Sequence, residues 1–409
     1  MNFGFVQQKH ITINRNSMYK ERFRSSSSFI SRGLHPILIM VICSFLLFSS
    51  SIRISIKTTY YDVSYFLLHK SPLFPFSWDL TGFSKFNPLR FDKCKMCNFT
   101  YKKGAYEPNS NDHDVIITTA ITSVTNVLLF IRTLRTTGCK AQVFLLVDNR
   151  CYANINEETM EFAKECGLRI INFGIVNNLN YYNRFGLRFI AAYELLEVIR
   201  PWANRIIFCD VFDIVFQGDP FTEAQDLHPF LFTDEHININ CDGSNVGWVK
   251  GVRDTWEHSW GFNRMINGGF FTGKHMYMLK FMDIFFSMFD TQNLSSIRSM
   301  DQGYFNYMNV TGLYKNMGLY HHHLHEKDIV RHLWNGPIRS NEETPFGKVC
   351  NYVNPNLPIL VVHQYYRSEL LGESILKVCP RMNPKLTHYH RIFSDEKVQE
   401  LENKWYMNK

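Results

Sequence analysis

From Asp114 onward, short apolar runs rich in β-branched residues alternate with longer amphipathic stretches along the chain. The short runs have the length of buried strands, and the longer stretches have the periodicity of helices. The predicted strands are Val115–Ala120, Ala141–Val147, Leu168–Phe173, Arg205–Cys209, Ile214–Phe216 and Leu357–Tyr366. The predicted helices are Asn126–Thr137, Glu157–Cys166, Arg184–Ile199 and His275–Asp290, with another that starts within Ser299–Asn309. Alternating strands and helices predict an α/β domain with a mixed, mostly parallel sheet flanked by helices.

The stretch Arg205–Phe221 carries the clearest chemical signal, because a buried strand there ends on Asp210 and a second carboxylate, Asp213, follows three residues later. Ligands bind at the carboxyl edge of such sheets, and carboxylates there favour a hard divalent cation such as Mn²⁺ or Mg²⁺. On an extended strand, residues i and i+3 face opposite sides. Both carboxylates can therefore share a site only if the chain turns at Val211–Phe212; otherwise one of them caps a turn.

The N-terminal part of the chain differs from this domain. Residues 1–33 carry six Lys or Arg against Glu21 alone and form a predicted cytoplasmic tail. Residues 34–52 are apolar over about the length that crosses a bilayer, and the preceding basic residues predict a type II signal anchor. A cleaved signal peptide is the competing interpretation. Residues 53–111 are read as a stem that partly packs on the domain at 112–409.

Sequons and cysteines favour a lumenal location for everything after the anchor. Asn98, Asn293 and Asn309 each begin an Asn-x-Ser/Thr triplet, which marks possible glycoprotein sites. Cys94 and Cys97 form a CxxC pair that could bind a metal or act in redox chemistry, although in a lumenal stem such a pair more often contributes to disulfides.

Charge excludes one class of partner. The net charge of +7 comes mostly from the N-terminal tail, so the main domain has no basic surface of the kind that binds nucleic acid. The sequence also lacks the glycine-rich phosphate loops of P-loop and dinucleotide-binding proteins.

The Asp-Val-Phe-Asp element at Asp210–Asp213, between two apolar runs, resembles the Asp-x-Asp element of GT-A glycosyltransferases. The resemblance is closest to the retaining enzymes related to glycogenin and the bacterial lipopolysaccharide galactosyltransferases, and this chain has one residue more in the element. It implies a Rossmann-like GT-A fold and metal-dependent transfer of a hexose from a nucleotide-sugar donor to a glycan or glycoprotein acceptor. With the anchor, it implies a single catalytic domain in the lumen of the Golgi or endoplasmic reticulum.

The same resemblance extends to other residues. His363, at the end of the last predicted strand, looks like the family's third metal ligand, and Asn267, Gly268 and Gly269 resemble its donor-sugar segment. Asp301 and Gln302 resemble the Asp-Gln pair near the reacting sugar. Each has a plainer interpretation: a histidine satisfied at a strand end, a glycine bulge without contacts, and an aspartate that caps a helix.

Other residues could take part in chemistry. Arg184 and Arg188 lie one turn apart on a predicted helix and could face the donor's phosphates, or could be solvated. The histidines at 321–323 and 325 could bind zinc, although a surface loop is the plainer interpretation. The tryptophans of Gly247–Phe262, on a loop-like background, could stack on sugars or pack in the core.

The reaction class also stays open. Retention is the stereochemistry that the resemblance favours, whereas an inverting enzyme needs a carboxylate base, for which Asp234, Glu235 or Asp301 could serve. A catalytically silent, lectin-like or scaffolding module on the same fold is the alternative function. A lumenal phosphohydrolase would need several metal-ligand clusters, and the sequence offers one that is convincing.

Overall fold

The computed structural model describes residues 78–101, 107–121, 124, 126–174, 182–290, 297–323, 329–333, 346–350, 357–383, 385–386, 396 and 400. The predicted cytoplasmic tail and membrane anchor, and the sequon at Asn293, lie outside these residues. Within the part that is described, no helix combines the length and the apolar character needed to cross a bilayer.

The secondary structure follows the alternation predicted from the sequence. The strands of the described residues are β1 (Val115–Ala120), β2 (Gln142–Asp148), β3 (Leu168–Gly174), β4 (Arg205–Asp210), β5 (Ile214–Phe216), β6 (Phe230–Asn238), β7 (Arg264–Lys274), β8 (His322–His323), β9 (Val330–His332) and β10 (Val361–His363). The α-helices are α1 (Val127–Thr136), α2 (Asn149–Ala153), α3 (Glu157–Glu165), α4 (Asn183–Ile199), α5 (Ala224–Leu227), α6 (Gly243–Arg253), α7 (His275–Phe286), α8 (Asp301–Val310), α9 (Leu313–Asn316) and α10 (Glu369–Val378). Short 3₁₀ turns occupy Thr81–Phe83, Ile239–Cys241, His258–Phe262 and Tyr365–Arg367.

A seven-stranded sheet forms the centre of the fold, in the order β3-β2-β1-β4-β7-β6-β8. Strands β3, β2, β1 and β4 are parallel, β7 is antiparallel to both β4 and β6, and β8 is parallel to β6. The prediction of a mixed, mostly parallel sheet flanked by helices is therefore confirmed. The parallel strands bring the carboxyl ends of β1, β2 and β4 to one edge, where the candidate site lies.

Alternating residues of the central strands enter two separate cores, because successive side chains of a strand face opposite sides of the sheet. Ile116 and Ile207 pack on one face with apolar residues of α1, α3 and α10. Ile117 and Phe208 pack on the other face with apolar residues of α4, α7 and α8. The strands are buried on both faces, which explains why they read as continuous apolar runs.

A small second sheet, in the order β5-β10-β9, extends from the end of β4. Strand β10 is antiparallel to β5 and parallel to β9. The predicted last strand, Leu357–Tyr366, was too long: only Val361–His363 forms a strand, Pro358 makes an isolated bridge to Cys350, and Gln364 takes a left-handed conformation (φ 59°) that ends the strand.

Residues 78–101, part of the predicted stem, are held to the α/β domain by disulfides, by hydrogen bonds from Arg132 of α1 and by the stacking of Arg135 over Phe91. Cys94 is bonded to Cys166, and Cys97 to Cys379, which confirms the disulfide interpretation of the CxxC pair. Arg132 donates to the main-chain oxygens of Lys95, Met96 and Pro380. Arg135 donates to those of Cys139, Ala141, Cys166 and Gly167. We call Arg132, Arg135 and the two disulfides the clamp.

The loop predicted for Gly247–Phe262 was wrong. Most of its first half belongs to α6, whose N-cap Asp242 accepts a hydrogen bond from the amide of Ser244. Glycines hid this helix, because they lower helix propensity. Only Gly251 of the three α6 glycines is closely packed: a Cβ there would lie 2.6 Å from the carbonyl oxygen of Arg298, whereas one on Gly243 or Gly247 would meet no atom within 4 Å. On α8, a Cβ on Gly303 would lie 2.7 Å from Cβ of Trp248, so α8 approaches α6 through this glycine.

Candidate metal centre and adjoining cavity

Asp210 and Asp213 come together because the chain bends between β4 and β5. The side chain of Asn126 donates to the carbonyl oxygen of Phe212. The main-chain amide of Gln364 donates to the carbonyl oxygen of Asp213 at 2.7 Å. The turn at Val211–Phe212 that a shared site requires is therefore present, and contacts on both sides stabilise it.

His363 completes a group of three possible ligands. Strand β10 places it opposite Ile214, so that its Nε2 lies 3.4 Å from Oδ1 of Asp213 and 3.8 Å from Oδ2 of Asp210. One ligand atom from each of these residues lies within 4.8 Å of the others. We call Asp210, Asp213 and His363 the metal centre.

The polar atoms of the metal centre fit a bound cation. Oδ1 of Asp213 and Nε2 of His363 are both buried, and neither makes a hydrogen bond with any described residue. Buried polar atoms without partners are uncommon in folded proteins and call for an explanation such as an ion. Two carboxylates and an imidazole suit Mn²⁺ well, and Mg²⁺ through the carboxylates.

Electrostatics at the metal centre favour a positive charge between the carboxylates. Burial alone would raise the pKa of Asp210, but Arg188 and His363 outweigh it and hold that pKa below its usual range. Burial would likewise lower the pKa of His363, yet Asp213 and Asp210 raise it to about 10. Asp210 therefore stays ionised and attracts a cation.

Arg188 ties the metal centre to the neighbouring segments. Its guanidinium forms ion pairs with Asp210 and Asp301 and donates to the carbonyl oxygen of Gly268 at 3.1 Å. Burial alone would lower the pKa of Arg188, but the two carboxylates raise it well above its usual value. The guanidinium is therefore a permanent cation at this edge of the sheet.

Arg184 differs from Arg188, although both were predicted to face the donor. Its guanidinium lies over the ring of Phe185, 5.0 Å from the ring centroid, and the side chain is half-buried. Among the described residues, Arg188 lines the cavity beside the metal centre and Arg184 does not. The structure therefore brings only one of the two arginines into the site.

The segment Asn267-Gly268-Gly269 on β7 makes specific contacts within the protein. Asn267 donates from Nδ2 to Oε1 of Glu235 at 2.7 Å and accepts at Oδ1 from the amide of Gly269 at 2.7 Å. A Cβ on Gly269 would lie 2.5 Å from Nε2 of His363 and 3.0 Å from Oδ2 of Asp210. A side chain at residue 269 would therefore enter the metal centre.

Asp301 and Gln302 begin α8 beside the same cavity. Asp301 pairs with Arg188 and accepts from the amide of Gln302 at 2.8 Å. Burial raises the pKa of Asp301, and Arg188 opposes this only in part. Gln302 accepts at Oε1 from the amide of Gly268 at 3.0 Å and donates from Nε2 to Asn245 at 2.9 Å. Both residues thus face the predicted donor segment.

Several residues of the site were missed by sequence reasoning. The cavity is also lined by Phe185, Asp242, Asn245, Met300 and Gln364, which were not site candidates, and by Trp248, one of the tryptophans expected to stack on sugars or pack in the core. Helix α6 supplies Asn245 and Trp248, and Asp242 is its N-cap; the Asp-Gly-Ser start, a helix N-cap pattern, was the available signal. A further buried histidine, His332, contacts His363 through their Nδ1 atoms at 2.7 Å. Nothing in the sequence pairs these two histidines, because the strands that carry them are short and distant in sequence.

The three candidate bases separate in the structure. Glu235 and Asp301 both line the cavity, and Asp301 is paired with Arg188. Asp234 does not line the cavity, and its Oδ1 lies 2.5 Å from Nδ1 of His323. Glu235 is therefore the candidate base that lines the cavity and accepts a hydrogen bond from Asn267.

The predicted zinc histidines do not gather around one centre. His321 contacts Asn309 at 3.1 Å, the ring of His322 packs against that of His228, and His323 pairs with Asp234. His325 lies outside the described residues. In the part of the chain that the structure describes, the metal centre is the one group of three or more potential ligands.

No family model matches the sequence, and no curated protein matches it significantly. The likeness to glycosyltransferases accordingly depends on the residues named above and on their geometry.

Proposed function

We propose that this chain is a metal-dependent GT-A glycosyltransferase that transfers a hexose from a nucleoside-diphosphate sugar to a glycan or glycoprotein acceptor. The observation that carries the proposal is the metal centre at the carboxyl end of β4, next to a cavity lined by Asn267–Gly269 and Asp301–Gln302. A cation site beside a polar cavity at this edge suits a phosphate-bearing ligand.

Asp210, Asp213 and His363 would hold Mn²⁺ or Mg²⁺. When bound, the ion supplies positive charge that offsets the charge developing on the leaving diphosphate. The buried cation Arg188 adds to this field from the opposite side of Asp210.

In the proposed reaction, the bond between the anomeric carbon and the β-phosphate oxygen breaks, and the anomeric carbon bonds to an acceptor hydroxyl oxygen. The nucleoside diphosphate leaves with the bonding electron pair. Asn267 and Gln302, whose amides are fixed by Glu235, Gly268 and Asn245, position the sugar. This fixed geometry lowers the entropic part of the barrier.

The destination of the acceptor proton depends on stereochemistry. In a retaining transfer, which the resemblance favours, the departing phosphate oxygen takes the proton. In an inverting transfer a carboxylate takes it, and Glu235 is then our choice because Asp301, which also lines the cavity, is paired with Arg188.

The predicted location, a type II protein of the Golgi or endoplasmic reticulum with its domain in the lumen, has independent support. The disulfides Cys94–Cys166 and Cys97–Cys379 are typical of an oxidising compartment. The sequon residue Asn98 is exposed and thus accessible to glycosylation, whereas Asn309 is half-buried against His321.

The test is hydrolysis of a panel of nucleotide sugars by the full-length protein, with Mn²⁺ and with a chelator. We expect metal-dependent turnover of one donor, lost in Asp213→Asn. Asp219→Asn is the matched control, because this buried carboxylate bonds Ser110 and the amide of Phe221 instead.

The opposite outcome favours the silent module. If no donor is hydrolysed, and glycans bind without nucleotide or metal, the chain is a lectin-like or scaffolding protein on this fold.

A further inference from the structure

We infer that His332 is a positioning residue that fixes the ring orientation and the tautomer of the metal ligand His363. The inference rests on the metal centre proposed above. The two Nδ1 atoms lie 2.7 Å apart, and both side chains are almost fully buried, with relative exposures of 5% for His332 and 2% for His363.

The fold sets this contact through strand pairing. Strands β9 and β10 run parallel, with His332 and His363 as direct register partners. The amide of Leu333 also donates to the carbonyl oxygen of His363 at 3.2 Å. The rings meet edge to face, at an angle of 86°. The backbone thus holds both histidines in register, and each ring has little freedom to turn.

The direction of the hydrogen bond follows from the chemistry of imidazole. Nε2 of His363 faces Asp210 and Asp213, so a metal ligand at this position must offer the lone pair of Nε2. The neutral ring then carries its proton on Nδ1 and donates it. Nδ1 of His332 is consequently the acceptor, and His332 carries its own proton on Nε2.

The hydrogen bond from Nδ1 of His363 to Nδ1 of His332 affects how well His363 can bind a metal. A histidine ligand whose second nitrogen donates a hydrogen bond is held in the correct tautomer and becomes a stronger base toward the metal. A carboxylate often accepts this bond, but a buried carboxylate here would add a further negative charge beside Asp210 and Asp213. A neutral imidazole accepts the bond without that charge.

The experiment measures Mn²⁺ affinity of the full-length protein by electron paramagnetic resonance. In His332→Leu we expect an affinity lower by about 10–100-fold, the range for loss of such a partner. In His332→Asn, Oδ1 takes the approximate place of Nδ1 and should restore most of the affinity. In His332→Gln the acceptor moves away from that place, and the affinity should stay low.

His275→Leu is the matched control. His275 is also buried, and its Nε2 bonds the carbonyl oxygen of Leu196 at 2.8 Å instead of a residue of the metal centre. We expect it to lower stability and to leave Mn²⁺ affinity unchanged. The intensity of the visible bands of the Co²⁺-loaded protein gives a second readout, because it reports ligand geometry rather than stability.

The outcomes separate this inference from the proposed function. If the wild type binds Mn²⁺ and His332→Leu binds it equally well, His332 has no positioning role. If the Asn and Gln variants weaken binding equally, packing rather than the hydrogen bond explains the effect, and the inference is wrong. If His332→Leu does not fold, the comparison of His332→Asn with His332→Gln still tests the inference. If the wild type binds no Mn²⁺, the metal centre itself is refuted.

Discussion

Two buried arginines show how differently the same side chain is used in the clamp and beside the metal centre. In the clamp, Arg135 donates to four main-chain carbonyl oxygens and stacks over Phe91, and burial lowers its pKa to about 10. Beside the metal centre, Arg188 pairs with Asp210 and Asp301, and its pKa is raised. The first arginine joins segments of backbone, and the second joins ionised side chains.

The clamp and the metal centre also differ in how their buried polar atoms are used. Donors of the clamp bond backbone carbonyl oxygens of separate segments, which stabilises the fold. In the metal centre, Asp213 and His363 each keep one buried polar atom without a hydrogen bond among the described residues. The clamp therefore serves structure, whereas the metal centre keeps polar atoms that suit the cation proposed above.

The largest effect should come from opening the clamp. Cys97 and Cys379 are separated by 282 residues, and loss of a native disulfide typically costs about 2–5 kcal/mol, with longer loops at the upper end. We expect the double variant Cys97→Ser/Cys379→Ser to lose about that much unfolding free energy in denaturant titrations. Its Mn²⁺ affinity should not change; a parallel loss of affinity would break the division between the two regions.

Removing the charge of Arg188 should lower the unfolding free energy by nearly as much. Arg188→Met leaves the buried carboxylates of Asp210 and Asp301 without their shared guanidinium, which lowers the unfolding free energy by about 3 kcal/mol. The matched control is Arg184→Met, one turn earlier on α4, for which we expect about 1 kcal/mol or less. Equal losses in the two variants, measured by denaturant unfolding, would show that Arg188 has no special role.

Adjacent glycines of β7 offer a sharper test of the metal centre. In Gly269→Ala the new Cβ would lie 2.5 Å from Nε2 of His363, so we expect Mn²⁺ affinity to fall by about tenfold or more. In Gly268→Ala the nearest atom is Cβ of Gln302 at 3.4 Å, an ordinary contact. This control should bind Mn²⁺ as the wild type does, and identical affinities for both variants would place the ion elsewhere.

The smallest effect concerns a buried carboxylate outside both regions. Burial raises the pKa of Asp283, on α7, to about 6. The folded state therefore holds this proton more tightly than the unfolded state, and the resulting stability is present below pH 4 and is lost as pH rises through 6. Because the group is partly exposed, we expect Asp283→Asn to gain only about 1 kcal/mol over the wild type at pH 7.5.

The check is denaturant unfolding of both proteins at pH 4.5 and pH 7.5. The advantage of the Asn variant should grow with pH. A constant difference between the two proteins would show that Asp283 does not titrate in this range.

Sequence reasoning found the parallel strands of the central sheet, because they are buried and read as apolar runs, but it did not predict β6 or β7. Strands β1 and β5 match their predicted bounds, and β4 differs by one residue at its carboxyl end. The carboxylates Asp210 and Asp213 were found because they follow such a strand directly. Local pattern was sufficient for each of these.

Features that depend on contacts between residues distant in sequence could not be predicted from local pattern. Helix α8 approaches α6 through Gly303, where a Cβ would lie 2.7 Å from Cβ of Trp248, and the glycines of α6 itself read as loop. The pairing of His332 with His363 depends on the register of β9 and β10, which no local pattern specifies. Arg184 and Arg188 look equivalent in sequence, and the ion pairs of Arg188 with Asp210 and Asp301 distinguish it.

Mn²⁺ binding to the full-length protein is the most direct test of the metal centre formed by Asp210, Asp213 and His363. We expect one ion per chain for the wild type, and a loss of affinity of about 100-fold or more in Asp213→Asn, in which one charged ligand becomes neutral. The control variant Asp219→Asn should bind as the wild type does. Absence of Mn²⁺ binding to the wild type, or equal affinity in Asp213→Asn, would contradict the assignment of this edge of the sheet as a metal centre.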